Sequence, residues 1–149
     1  MTRKIVPDIV TKQALKTLTP DATARLAARV MGSNRISAII VIENECLVGI
    51  VTERDLTAKV LAGSLDPDAT VLSDVMTANP DTLSPDDSPF NALELMSLRG
   101  YRHLPVVDGT SVIGMVSIRD LYAVVKDMLE DDIRQREAFI FDTGYGASA

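Results

Sequence analysis

Gly49-Ile50-Val51-Thr52-Glu53-Arg54-Asp55-Leu56 recurs as Gly114-Met115-Val116-Ser117-Ile118-Arg119-Asp120-Leu121, an offset of 65 residues (114 − 49). Five of the eight positions are identical, and the Thr/Ser and Ile/Met exchanges are close in size. The same offset runs back without a gap through Val41/Val106, Met31/Met96, Thr23/Ser88, Pro20/Pro85 and Leu18/Leu83. A register held that long marks one supersecondary unit present twice, and a unit of about sixty residues is near the size at which a lone core is marginal. Upstream, Pro7-Asp8-Ile9-Val10-Thr11 is similar to Ser73-Asp74-Val75-Met76-Thr77 at an offset of 66 (73 − 7), so each copy carries its own lead-in. The boundary falls between Gly63 and Pro67, giving expected units 1–66 and 67–130 and an extension, 131–149.

Each copy reads as β-α-β-β-α. Lys16 to Leu18 and Asp81 to Leu83 are short extended stretches halted by Thr/Ser-Pro, because the residue before proline is pushed out of the helical region. Thr23 and Ser88 are apt N-caps, and Pro89 stands at a first helical position, where a missing N–H costs nothing. Leu26, Val30 and Met31, then Phe90, Leu93 and Met96, form stripes at helical spacing. Ser37 to Ile42 and His103 to Val107 are apolar, largely β-branched runs suited to covered strands. Glu43-Asn44-Glu45 and Asp108-Gly109-Thr110 turn them back into Leu47 to Val51 and Val112 to Val116. The expected fold is α/β (α+β): two repeats about a pseudo-twofold axis, sheets face to face with flanking helices, and a cleft between them lined by strand ends and helix N-termini.

The chain has 149 residues, of which 46% are hydrophobic and 4% aromatic, so the core has to be aliphatic. No run approaches the roughly 20 apolar residues of a membrane-spanning helix, and Met1 to Val10 lacks a signal-peptide stretch, so a cytoplasmic location is expected. The net charge of −6 opposes non-specific attraction to nucleic acid or anionic lipid. Any phosphate must be held by a local site. One cysteine, Cys46, leaves no internal disulfide, and its neighbours Glu43 and Glu45 disfavour a reactive thiolate. His103, the one histidine, cannot build a metal centre by itself. Glu130-Asp131-Asp132 lacks the spacing of a calcium loop and reads as a solvated helix face. Phosphate-loop, nucleophile-elbow and zincin motifs are absent.

Polar groups gather where each hairpin meets its helix. Thr52, Glu53, Arg54 and Asp55, with Ser117, Ile118, Arg119 and Asp120, open helices whose unpaired N–H groups favour an anion. A carboxylate one turn on can accept from ribose hydroxyls. The same Thr/Ser-x-x-Asp spacing also serves as a helix cap, and a duplicated cap would look identical. Spacing leaves both readings open.

Taken with Asp74-Val75-Met76-Thr77 and His103-Leu104-Pro105-Val106-Val107-Asp108, the two Gly-x-x-Thr/Ser-x-x-Asp-Leu endings resemble a tandem pair of cystathionine-β-synthase-type (CBS) domains, a Bateman module, from about Pro7 to Leu129. The resemblance implies a non-catalytic regulatory module that binds AMP, ADP, ATP, NAD or S-adenosylmethionine between the repeats. Thr52 and Ser117 would meet phosphate, Asp55 and Asp120 would take ribose hydroxyls, and Arg102 would reach the phosphate. Backbone groups of Arg102 to Pro105, including His103 and Leu104, and of Thr82 would frame the base, with Arg119 beside them. The first-copy counterparts are Thr17, Ser37, Ala38, Thr52, Arg54 and Asp55. That copy has Ser37-Ala38-Ile39-Ile40 where the second has Arg102-His103-Leu104-Pro105, so the second site is the better formed.

The implied partners are an adenine nucleotide as regulatory ligand, a second copy in a homodimer and a regulated protein. No catalytic cofactor, nucleic acid or membrane is expected. The competing functions are a ligand-free dimerisation adaptor, in which both Thr/Ser–Asp pairs are caps, and an enzyme with an unrecognised site. The tail contains Phe139, Ile140, Phe141 and Tyr145, and docking of its apolar residues on the chain's own domain or on a partner chain is expected because bare they are costly in water.

Overall fold

Two β-branched hairpins organise the chain. The computed structural model describes residues 3–10 and 14–140. In chain order the elements are α1 (Ile5–Asp8), β1 (Thr17–Leu18), α2 (Ala24–Asn34), β2 (Ala38–Glu43), β3 (Cys46–Thr52) and α3 (Glu53–Asp55), which runs on as a π-helical stretch, Leu56–Leu61. Then come α4 (Leu72–Val75), β4 (Thr77–Ala78), α5 (Pro89–Arg99), β5 (His103–Asp108), β6 (Ser111–Ser117) and α6 (Ile118–Phe139). The hairpins share their register: Ala38 pairs with Thr52 as His103 pairs with Ser117. Both bulge at one place, between Val41 and Ile42 and between Val106 and Val107. Asn44 and Glu45 make the first turn at φ 51° and 64°, and Gly109 enters the left-handed region at φ 63° in the second. The expected caps form, with Leu26 N donating to Thr23 Oγ1 and Asn91 N to Ser88 Oγ, each at 3.1 Å.

Aliphatic side chains fill two cores, as the scarcity of aromatics requires. Ala27, Met31, Ile39, Val41 and Val51 anchor one, and Met96, Leu104, Val106, Val116 and Leu121 the other. The lead-ins cross over. Ile5, ahead of the first copy, is buried in the second core, while Leu72 and Val75, ahead of the second, are buried in the first. Ile5 N donates to Asp87 O at 2.8 Å and Leu72 N to Ala22 O at 2.9 Å. That bonding matches Ile5 to Leu72, an offset of 67 (72 − 5), one more than the sequence pattern suggests. Each unit thus completes its core with the other's leading segment.

The sheets differ at their edges. The first runs β1-β2-β3-β4, with β1 parallel to β2 and the remaining pairs antiparallel. In the second, β5 and β6 pair and Leu83 adds one parallel bridge to Val106. The pair Thr17↔Ile40 would have its counterpart in Thr82 with Pro105, and proline has no N–H for that ladder bond. Strands β3 and β6 pack against one another and bring the two hairpin-to-helix junctions together. Helix α6 runs past the body: Leu129, Ile133, Phe139 and Ile140 are all exposed. Phe139 and Ile140 are therefore not buried in the chain's own core, because their helix leaves it after Val125, which leaves docking on a partner chain; Phe141 and Tyr145 lie outside the described residues. No helix among the described residues is long and apolar enough to cross a membrane.

Candidate functional site

Both junctions are built alike because the hairpin hands its last residue to the helix as a cap. At the first, Asp55 N donates to Thr52 Oγ1 at 3.2 Å and the Asp55 carboxylate accepts from Thr52 N at 2.9 Å. At the second, Asp120 N donates to Ser117 Oγ at 3.1 Å and its carboxylate accepts from Ser117 N at 3.0 Å. Both are complete capping boxes, so the capping reading of the spacing holds. The first helical residue then ties back to the start of the hairpin, Glu53 N to Ser37 O at 3.0 Å and Ile118 N to Arg102 O at 2.8 Å.

Around the junctions lies a cleft of about 640 Å³. It joins the halves. From the first it takes Ser37, Thr52, Arg54 and Asp55, and from the second Arg102, His103, Leu104 and Arg119. Thr17, Ala38, Thr82, Pro105, Ser117 and Asp120 are not on its wall. Thr17 and Thr82 are exposed on the short edge segments, and Ala38 and Pro105 are buried. Pro105 O already accepts from Leu83 N at 2.8 Å. Glu53, read from the sequence as a junction residue, is also on the wall, and sequence reasoning missed Ile50, Thr77, Pro80, Gly100 and Tyr101. Gly100 and Tyr101 adjoin Arg102 and were legible as neighbours. Thr77 and Pro80 were not, because only the crossed lead-in brings them to the first hairpin.

The wall is cationic on balance. Arg54, Arg102 and Arg119 make no ion pair among the described residues, whereas the Asp55 carboxylate is held by Lys59 Nζ at 3.1 Å. Lys59 Nζ also donates to Val75 O at 2.7 Å, so the clamp uses the crossed segment α4. Ser37 Oγ and His103 Nε2 lie 2.9 Å apart and bridge the two halves. Burial pushes the His103 imidazole below the ordinary histidine range; the Asp120 and Glu53 carboxylates pull it up, and Arg102 adds to the depression. No group of three or more metal-ligating side chains converges among the described residues.

The family model for the CBS domain matches residues 1–62 and 72–127, the two copies of the hairpin–helix unit. The chain belongs to the CBS-domain family. Its two halves form a tandem CBS pair. The CBS domain-containing protein CBSCBSPB2 of Arabidopsis thaliana is 37% identical over 110 residues, 72% of this chain and 20% of the relative. The mitochondrial CBS domain-containing protein CBSX3 of the same plant is 31% identical over 127 residues, 82% of this chain and 62% of the relative. The chain thus spans about a fifth of one relative's length and less than two thirds of the other's. Among solved structures, a CBS-domain protein from Burkholderia ambifaria superposes with a TM-score of 0.78 at 31% identity, covering 83% of this chain and 93% of that one.

Proposed function

We propose that this CBS pair is a regulatory module that binds an adenine nucleotide in the cleft between its repeats and passes the ligand's presence to a partner by favouring one arrangement of the halves. The observation that carries this reading is the convergence of Arg54, Arg102 and Arg119, from both halves and without ion-pair partners among the described residues, on one cleft large enough for a small molecule. Arginine suits phosphate, offering a planar array of donors. Asp120, which caps α6 beside the cleft wall and makes no ion pair among the described residues, would accept from ribose hydroxyls. The CBS pair of protein MJ0100, similar in fold, was solved with 5′-methylthioadenosine and S-adenosyl-L-methionine, which supports an adenosine-type ligand. No catalytic step is part of the proposal. A homodimer is, through exposed helix residues such as Leu61 and Leu98, as is a cytoplasmic setting.

The completed capping boxes favour a second reading, a ligand-free adaptor in which both Asp residues serve the helices alone. Thermal unfolding with AMP, ATP, NAD and S-adenosylmethionine separates the two. A ligand at 100 times its dissociation constant adds about 2.7 kcal/mol to stability. The nucleotide reading expects a rise with at least one of them, lost in Arg102→Ala; no rise with any supports the adaptor.

A further inference from the structure

Resting on the nucleotide reading, we propose that His103 couples ligand binding to proton uptake, so that the cleft holds a phosphate-bearing ligand more tightly as pH falls from about 7.5 towards 6. His103 is the chain's one histidine, half-buried at the start of β5 and on the cleft wall. Its Nε2 faces Ser37 Oγ of the other half at 2.9 Å. A hydroxyl can donate to a bare ring nitrogen or accept from a protonated one, so this contact survives in either charge state. Protonation therefore needs no rearrangement and places a full positive charge on the wall.

The chain's own groups oppose that charge on balance. Burial disfavours it, and Arg102, just before β5, repels it; Asp120 of α6 and Glu53 of α3 favour it. Arg54 and Arg119 share the wall and add positive charge, while Asp55 is occupied by Lys59. A phosphate among these arginines would offset their repulsion and favour the imidazolium. The ring then binds a proton more readily with ligand present, and by reciprocity ligand binds better where the ring is protonated.

The test is calorimetric titration of the full chain with ATP at about pH 7.5 and 6.0, in buffers of different ionisation enthalpy, beside His103→Gln, which keeps a polar group towards Ser37 but cannot titrate. Phosphate itself titrates near pH 6, so the readout is the difference between wild type and variant. The expected result is an affinity gain of about three- to tenfold in wild type beyond that of the variant, with fractional proton uptake. NMR of the lone histidine ring needs no variant: its pKa should rise on saturation with ATP. A ring pKa indifferent to bound ATP, or equal pH dependence in both proteins, overturns the coupling and leaves the nucleotide reading standing. Failure of ATP, AMP, NAD and S-adenosylmethionine alike to bind at any pH overturns both.

Discussion

At the start of α3, Asp55 accepts from the Thr52 amide at 2.9 Å and from the Lys59 ammonium at 3.1 Å. At the start of α6, Asp120 accepts from the Ser117 amide at 3.0 Å and joins no ion pair among the described residues. The position 65 beyond Lys59 is Val124, and the one 65 beyond Glu53 is Ile118. Duplication has preserved the backbone device in both copies, while the surrounding charges have parted. One copy pairs its acid with a lysine; the other keeps its acid in the cap with no ion pair among the described residues, and has Arg102 where the first has Ser37. The cap is common to both halves, and the charges around it are what differ.

The crossed lead-ins give the largest expected effects on that comparison. Leu72→Ala, at a fully buried position, should cost about 2–5 kcal/mol in denaturant unfolding. Ile5→Ala should cost a similar amount yet loosen the opposite half, which hydrogen exchange by segment would read as lost protection in β5 and β6. Loss of protection on the same side as each substitution would break the account of exchanged segments. A smaller contrast separates the two acids. Asp55→Ala should destabilise by about 1–2 kcal/mol, losing cap and Lys59 together, and Asp120→Ala by about half that. Equal losses would mean that the Lys59 contact contributes nothing.

The smallest expected effect concerns pH. Because the folded protein holds His103 below the ordinary histidine pKa, the unfolded chain binds more protons on acidification. The contribution is full above about pH 6.5 and is lost as pH falls from there through the folded value, so apo stability should decline on that side. In His103→Gln the decline should be shallower. An unchanged slope would contradict the burial argument.

The repeat, both hairpins and all four capping residues were legible in the sequence, because each is written in neighbouring residues: Thr23 and Ser88 sit directly before their helices, and Pro89 marks a first turn. What lay between distant segments was not legible. Nothing near Ile5 says that it will be buried under Leu104 and Leu121 rather than in its own copy. The Lys59 clamp reads as an ordinary helix pair until α4 crosses to supply Val75 O. A cleft between the repeats was expected, but which residues share it was not legible: packing of β3 on β6 joins Thr52 and Asp55 of one copy to Arg102 and His103 of the other on a single wall.

Whether that wall holds a nucleotide is decided by titrating the purified chain with ATP and counting what binds. The expected result is saturable uptake of one ATP per chain, weakened at least tenfold in Arg102→Ala with little change in apo stability. No saturable binding of ATP, AMP, NAD or S-adenosylmethionine at millimolar levels, or binding that Arg102→Ala leaves untouched, would contradict it.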